Sequence, residues 1–247
     1  MMTTSTKRYS FKRFSVKTFA AFALATVPVV GLTTAPVPAA HATDLAVHNQ
    51  AVNDAEQKYA ANSYRGAGAP NSVKFVDRTS TSDILIVAPH AVKHHRAGGP
   101  KEADKYTGGI AEAVADQIGA SVLTVTGEVG DWGDDWSKRN DQFTQVLKNL
   151  PPNIKVVDLH GMDDGHNIPA SVGTGPQPNQ ATMDWANKIL SGMGSNARQN
   201  GASFAATAGY TDTSFLQANG HVAVQLELSE DVRQSEGVVD MVANAVR

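Results

Sequence analysis

Three stretches of the sequence each place one ionisable residue directly after an apolar run. The stretches are "ILIVAPHAVKHHRAGGPKEADKYTGG" (residues 84–109), "VVDLHGMDD" (156–164) and "VAVQLELSE" (222–230). The ionisable residues are His90, His160 and Glu227. Imidazole and carboxylate groups serve hydrolytic sites as metal ligands and as proton carriers. The pattern therefore indicates a site assembled where buried segments emerge from a core.

His90 and His160 are candidate ligands of one metal ion. A catalytic zinc takes three protein ligands and leaves one coordination position for water. The third ligand is expected in the loop after His90, where Asp104 is the first choice and Glu102 the fallback. The alternatives are hydrogen-bonded structural histidines and an Asp104 that only caps a helix. The spacing matches none of the short metal motifs.

Glu227 is expected near the end of a buried strand, where a carboxylate is costly unless it is paired or functional. Burial raises the pKa of a carboxyl group, which suits proton transfer near neutrality. An ion pair with Arg233 is the alternative. Arg96 and Arg233 are candidates for holding a substrate carboxylate or an oxyanion, because guanidinium binds carboxylates in a bidentate manner. Both could instead be ordinary surface residues.

Two loops are candidates for substrate contact. The first, "GEVGDWGDDWSKRND" (127–141), has five acids and two tryptophans, and Asp131 and Asp134 are its candidate residues for substrate contact. Its composition suits a cationic or sugar-bearing substrate at least as well as an anionic one. The second, "SVGTGP" (171–176), is predicted to be a turn in which Gly173 and Gly175 present backbone N–H groups. A solvated turn is the alternative for each.

From about residue 73, predicted strands and predicted helices alternate along the chain, and these elements must position the candidate residues. Continuous apolar runs predict buried strands, and apolar residues at helical spacing predict the helices between them. This order predicts an α/β fold with three αβα layers and a mostly parallel, mixed central sheet. Sites in such sheets lie beyond the carboxyl ends of the strands. The strands are predicted at 73–76 and in "DILIVAP", "SVLTVTG", "IKVVDL", "SFAATA" and "HVAVQLEL", and the helices at 108–118, 138–150, 181–193 and 234–246.

Residues 1–42 have the pattern of a secretory signal peptide. Five basic residues precede an apolar run at about 19–32, and "PVPAAHAT" supplies small residues before a predicted cleavage after Ala42. A membrane anchor is the alternative, but the run is shorter than the roughly 20 residues of a span. Residues 43–72 are then a flexible extension and 73–247 a single domain. We expect a protein secreted to the cell envelope or beyond, without stable membrane insertion after cleavage.

The composition argues against a nucleic-acid partner. The whole chain has 21 Lys and Arg against 24 Asp and Glu, and all five basic residues of the leader would be lost on cleavage, which leaves 16 basic residues and a formal charge of −8. Such a surface favours a small-molecule or peptide substrate over nucleic acid. The chain has no cysteine and hence no disulfide.

The stretches "APHAVKHHRAGGPKEADKYTGG", "VVDLHGMDD" and "AVQLELS" together resemble the N-formylglutamate amidohydrolase-like group. This group belongs to the zinc-carboxypeptidase-like (phosphorylase/hydrolase-like) superfamily, and the resemblance covers most of residues 84–233. The related phage-type poly-γ-glutamate hydrolases carry a Glu three residues before a Thr, the position that Asp104 holds relative to Thr107. The chain differs from that branch in having a longer loop after His90 and an Asp for the Glu.

The resemblance implies zinc held by His90, Asp104 and His160, with Glu227 as the general base. It implies a secreted zinc-dependent amidohydrolase that cleaves an N-acyl amino acid, a γ-glutamyl compound or a cell-wall peptide. A carboxypeptidase-like peptidase and a non-catalytic binding protein of the same fold are the alternatives. A serine hydrolase is disfavoured because the sequence has no G-x-S-x-G motif.

Overall fold

The structure is a computed structural model of the 247-residue chain, and it describes residues 49–66 and 72–247. The predicted signal peptide lies outside the described residues, as do 43–48 and 67–71 of the predicted extension. Within the described ranges, no helix combines the length and the apolar character that crossing a membrane requires.

The described residues contain nine strands. Seven form one mixed sheet, and the other two, which lie in the loop after the second strand, form a small antiparallel hairpin. The strands are β1 (Val73–Val76), β2 (Ile84–Ala88), β3 (His94–Arg96), β4 (Gly99–Lys101), β5 (Ser121–Val125), β6 (Lys155–Gly161), β7 (Ala170–Gly173), β8 (Arg198–Gln199) and β9 (Val222–Leu228).

The sheet order is β1-β5-β2-β6-β9-β7-β8. The four central strands β5, β2, β6 and β9 are parallel, whereas β1 and β7 run antiparallel to their neighbours β5 and β9. Every residue of β2 and β5 is buried, as expected for parallel strands covered on both faces. The prediction of an α/β fold with a mixed central sheet is confirmed.

Helices flank the sheet and enclose the core. Helix α2 packs on β2, β5 and β6, α4 packs on β7 and β9, and α7 contacts both of these helices. Helix α3 lies against β5, and α5 lies against β6 and β9. The helices are α1 (Gln50–Tyr64), α2 (Thr107–Ile118), α3 (Gln142–Lys148), α4 (Gln180–Gly192), α5 (Asp212–Ala218), α6 (Glu230–Arg233) and α7 (Val238–Val246).

Helix α1 replaces part of the predicted flexible extension. It packs against α2, and its Glu56 is fully buried. The Glu56 carboxylate accepts hydrogen bonds from the backbone N–H groups of Tyr106, at 2.7 Å, and Gly109, at 2.9 Å. These donors lie at the start of α2, where N–H groups have no partner within the helix. Residues 50–64 therefore belong to the folded domain and fix the end of the loop that carries Asp104.

Replacing Glu56 with alanine should destabilise the domain by about 2–4 kcal/mol, because two backbone donors would stay buried without an acceptor. Asp54 lies on the same helix but is exposed, so Asp54→Ala is the matched control and should change stability by less than about 0.5 kcal/mol. Urea unfolding of both variants measures the difference. Equal stability of the two variants would show that Glu56 does not anchor α2.

Several segments differ from the sequence prediction. The predicted strand "SFAATA" (203–208) is a loop, because Ser203 and Ala206 adopt positive φ angles that interrupt an extended chain. The predicted turn at 171–176 includes most of strand β7. The helix predicted at 138–150 forms only over Gln142–Lys148, because Asp141 caps it by accepting from the Thr144 N–H. Helix α5 was not predicted.

Candidate active site

The three ionisable residues singled out in the sequence meet at the carboxyl ends of β2, β6 and β9. His160 and Glu227 are direct partners in the parallel pair of β6 and β9. Strand β2 lies on the other side of β6, and His90 follows it by two residues. All three residues line a cleft of about 340 Å³. The other residues that line it are Pro89, Arg96, Trp132, Asp158, Ser203, Phe204, Ala206, Thr207, Ala208, Tyr210, Thr211, Asp212 and Gln225.

Backbone hydrogen bonds bring Asp104 back to this edge of the sheet. Its N–H donates to the His90 carbonyl at 2.8 Å, which closes the loop between them. Its Oδ2 lies 3.3 Å from His160 Nδ1 and accepts from the Gly161 N–H at 3.2 Å. Asp104 is therefore held against His160. Glu102, the fallback ligand, is exposed and pairs with Lys93 at 2.9 Å, away from both histidines.

His160 is flanked by carboxylates on both ring nitrogens. Nδ1 faces Asp104, and Nε2 lies 2.9 Å from Oδ1 of the fully buried Asp158. The other oxygen of Asp158 accepts from the Thr213 hydroxyl at 3.2 Å. Burial by itself lowers the pKa of His160, but the negative charges of Asp158 and Asp104 outweigh burial and raise this pKa well above its ordinary value. Asp158 thus fixes the orientation of the ring from behind.

His90 is buried among aromatic rings. Its ring stacks on His94 with 3.9 Å between centroids, and it meets the rings of Trp132 and His160 edge-on at 4.8 and 4.9 Å. Nε2 accepts from Arg96 at 2.9 Å, whereas Nδ1 is buried without a hydrogen-bond partner. Burial lowers the pKa of His90 well below its ordinary value, so the ring is neutral. One polar atom at the centre of the cleft is therefore unsatisfied.

These side chains fit a zinc ion by their chemistry. Two ligands about 2.0–2.1 Å from a tetrahedral zinc lie about 3.3 Å apart, which is the distance between Asp104 Oδ2 and His160 Nδ1. His160 also has the carboxylate partner that metal-bound histidines usually have. The unpartnered Nδ1 of His90 would be the third ligand atom. In the described part of the chain, no three such side chains are yet grouped closely enough to hold an ion, so His90 would have to shift towards the other two.

Glu227 is buried beside these residues and forms no ion pair with Arg233. Its Oε1 accepts from the Gln225 side chain at 2.7 Å. Burial raises the pKa of Glu227 to about 7, against the lowering effect of nearby His160. Because Gln225 and Glu227 are two apart in a strand, both project from the same face, the face that lines the cleft. Glu227 is thus a carboxyl group that titrates near neutrality beside the candidate ligands.

The two candidate arginines have different positions. Arg96 lines the cleft and touches His90. Arg233 is buried under the sheet edge, where it donates to the carbonyls of Met162 and Leu228 and lies against Gly161. A Cβ at Gly161 would come within 2.6 Å of this guanidinium. Arg233 does not line the cleft and its Nη1 is used by the backbone, whereas its Nε is buried without a hydrogen-bond partner. A substrate contact by Arg233 stays a prediction.

The four residues predicted to contact substrate do not line the cleft. Asp131 accepts from the backbone N–H groups of Ala97 and Gly98, both at 2.6 Å, and so fastens its loop to the hairpin of β3 and β4. Asp134 is exposed on the same loop. Gly173 ends β7 inside the sheet, and Gly175 adopts a φ of +73° against the Gln217 side chain. The acidic loop instead contributes Trp132 to the cleft.

Sequence reasoning missed several residues of the site. His94 is one of them: it is buried and its ring stacks on His90. Asp158 was overlooked although it lies two residues before His160, a spacing that places both on one face of a strand. Phe204, Tyr210 and Asp212 come from a loop and a helix start that have no clear sequence signal.

Comparison with known proteins gives similar solved structures at low sequence identity and no family. No family model matches the chain, and no curated protein matches it. A bacteriophage poly-gamma-glutamate hydrolase is similar at 17% identity and a TM-score of 0.46, over 71% of this chain and 85% of that one. A gene product of Agrobacterium tumefaciens is similar at 13% identity and a TM-score of 0.45, over 70% of this chain and 89% of that one. Similarity at this level carries no inference about activity.

Proposed function

We propose that the protein is a secreted zinc-dependent hydrolase of amide bonds. The observation that supports this most strongly is the meeting of a carboxylate-flanked imidazole, an imidazole with an unpartnered nitrogen and a buried carboxyl group in one cleft. His90, Asp104 and His160 would hold the metal, and Glu227 would carry the proton. The substrate would be an N-acyl amino acid, a γ-glutamyl compound or a cell-wall peptide.

Bound zinc would supply Lewis acidity for the substrate carbonyl and would acidify a water molecule. Glu227 would take the proton from that water and return it to the leaving nitrogen, because its pKa of about 7 lets it accept and donate near neutrality. Asp158 would keep the His160 ring in a fixed orientation throughout.

Arg96 would act on the substrate once the metal is bound. In the structure it donates to Nε2 of His90, so this ring carries its proton on Nδ1. If His90 held the metal through Nδ1, the neutral ring would carry its proton on Nε2, which could not accept from Arg96. The guanidinium would be released into the cleft, where it could stabilise an oxyanion or a substrate carboxylate.

The rate of hydrolysis should depend on pH through Glu227. A general base works only when ionised, so kcat/KM should fall about tenfold per pH unit below the pKa and level off above it. The folded pKa of about 7 places this limb at or below pH 7, since a bound cation lowers the pKa of a neighbouring carboxyl group. A pH–rate profile of the zinc-loaded protein measures it.

Glu56 provides the control for this profile, because burial also raises its pKa to about 7 and it lies behind the loop rather than in the cleft. The Glu56→Gln variant should keep the acidic limb at the same pH. Displacement of the limb in a folded Glu56→Gln protein, or a flat profile in the unmodified protein, would remove Glu227 as the base.

The experiment that tests the function is a substrate screen with zinc-loaded protein. N-acyl amino acids, γ-glutamyl peptides and muropeptides cover the proposed substrate classes, and release of a free amine reports cleavage of any of them. Zinc-dependent release that chelation abolishes would support the proposal. A chain that binds these compounds without cleaving them would instead be a binding protein of the same fold.

A further inference from the structure

Asp212 is a buried carboxyl group of the cleft that the proposed chemistry does not use. It is the first residue of helix α5, and only 3% of its surface is exposed. Neither of its carboxyl oxygens has a hydrogen-bond partner, although the residue lines the cleft. Buried carboxyl groups are normally paired or hydrogen-bonded, so this position requires an explanation.

The surrounding side chains do not satisfy Asp212. Asp158, a negative neighbour, already uses its two oxygens for His160 and Thr213. The nearby cation is Arg139, whose guanidinium lies 4.2 Å from the ring centroid of Trp132 and 4.6 Å from that of Trp136. This guanidinium donates through Nε to Asp141 at 3.3 Å and forms no ion pair with Asp212. Its Nη1 and Nη2 are also buried without hydrogen-bond partners, so Arg139 lies near Asp212 but does not satisfy the carboxyl group by a direct contact.

The walls of the cleft suit a cation as well. Trp132, Phe204 and Tyr210 line it, and Tyr210 is 46% exposed. Aromatic faces attract ammonium groups. The acids in the lining are Asp158, Asp212 and Glu227, whereas Arg96 is the one lysine or arginine that lines the cleft among the described residues.

We propose that Asp212 receives a primary ammonium group of the ligand, so that the cleft selects compounds with a basic amino-acid side chain of the lysine, ornithine or diamino-acid type. The inference rests on the proposed function only in treating this ligand as the substrate. It narrows the substrate from acylated amino acids in general to those with an amine near the scissile amide. It also implies that an acylated glutamate is a poor ligand.

A pair of ligands that differ only in the ammonium group tests this without any hydrolysis. Calorimetry on the full chain without zinc would compare Nα-acetyl-lysine with Nα-acetyl-norleucine, which has the same carbon chain and no amine. A buried hydrogen-bonded charge pair predicts about 10- to 100-fold tighter binding of the lysine compound. In Asp212→Asn, a change of similar shape, the two ligands should bind within about twofold of each other.

Asp134→Asn is the matched control, because Asp134 is exposed and does not line the cleft, and it should retain the preference. Equal binding of both ligands to the unmodified chain would overturn the inference, and this result needs no variant to fold. An unchanged preference in a folded Asp212→Asn protein would overturn it too. If the chain prefers the lysine compound but hydrolyses no amide, the inference stands and the proposed function fails. If it hydrolyses amides but binds both ligands equally, the proposed function stands and the inference fails.

Discussion

Replacing Glu227 with glutamine is expected to lower kcat by about 10²–10⁴-fold while zinc binding stays the same. The substitution keeps the shape of a side chain that is 5% exposed and removes its ability to take a proton. Gln225 donates to Oε1 of Glu227, and a glutamine oxygen can accept the same hydrogen bond. Packing should therefore survive, and the loss of rate should report proton transfer alone.

The steady-state rate of hydrolysis and the zinc content are measured on the same preparation of Glu227→Gln. Glu230→Gln is the matched control, because Glu230 is an exposed acid three residues further along the chain and should have no effect on kcat. A folded Glu227→Gln protein that retains full activity would assign the proton transfer to another group. A loss of activity together with zinc would make Glu227 a metal ligand.

Replacing His160 with alanine is expected to abolish both zinc binding and hydrolysis. The ring is the partner of two carboxylates, Asp104 at 3.3 Å and Asp158 at 2.9 Å, so its removal takes away one ligand and leaves the buried Asp158 and the partly buried Asp104 without their cation. Zinc affinity should fall by more than the roughly 10–100-fold that is typical of losing an outer hydrogen-bond partner of a ligand. In Asp158→Asn, which removes only such an outer partner, zinc affinity should fall by about 10–100-fold.

Competition of zinc between the protein and a chelator dye measures both affinities. His166→Ala is the control, because His166 is exposed and does not line the cleft. If His160→Ala bound zinc as tightly as the unmodified chain, the metal would lie elsewhere. If Asp158→Asn proved more damaging than His160→Ala, Asp158 itself would have to be a ligand.

The parts of the fold that followed from the sequence are those with strong periodicity. The buried runs that became β2, β5, β6 and β9 were predicted as strands because continuous apolar segments suit the interior of a parallel sheet. Their carboxyl ends then place His90, His160 and Glu227 at one edge without further information. The apolar pattern of these strands was therefore enough to predict this part of the site.

The residues that were mistaken depend on tertiary contacts. Asp131 looks like a substrate acid in sequence, but three backbone N–H groups that bind it come from Ala97, Gly98 and its own loop, at Gly133. Arg233 was a candidate for substrate contact, yet it is buried and its Nη1 donates to the backbone carbonyls of Met162 and Leu228. No spacing rule reveals such partners, because they come from distant parts of the chain.

Phe204 and Tyr210 lie in a loop that leads to Asp212, the first residue of α5. This segment could not be predicted, for a different reason. Its apolar residues at 203–208 suggested a strand, but positive φ angles, among them those of Ser203 and Ala206, interrupt the extended chain. These angles are rare for residues other than glycine and are imposed by surrounding structure rather than by local preference. The wall of the cleft is therefore set by packing.

The most direct test of the account is a crystal structure of the zinc-soaked protein with anomalous diffraction recorded at the zinc absorption edge. The account predicts one strong peak within about 2.0–2.2 Å of a ring nitrogen of His90, a ring nitrogen of His160 and a carboxylate oxygen of Asp104, with Glu227 facing it. No peak in the cleft, or a peak bound by other residues while Arg96 still contacts His90, would contradict it.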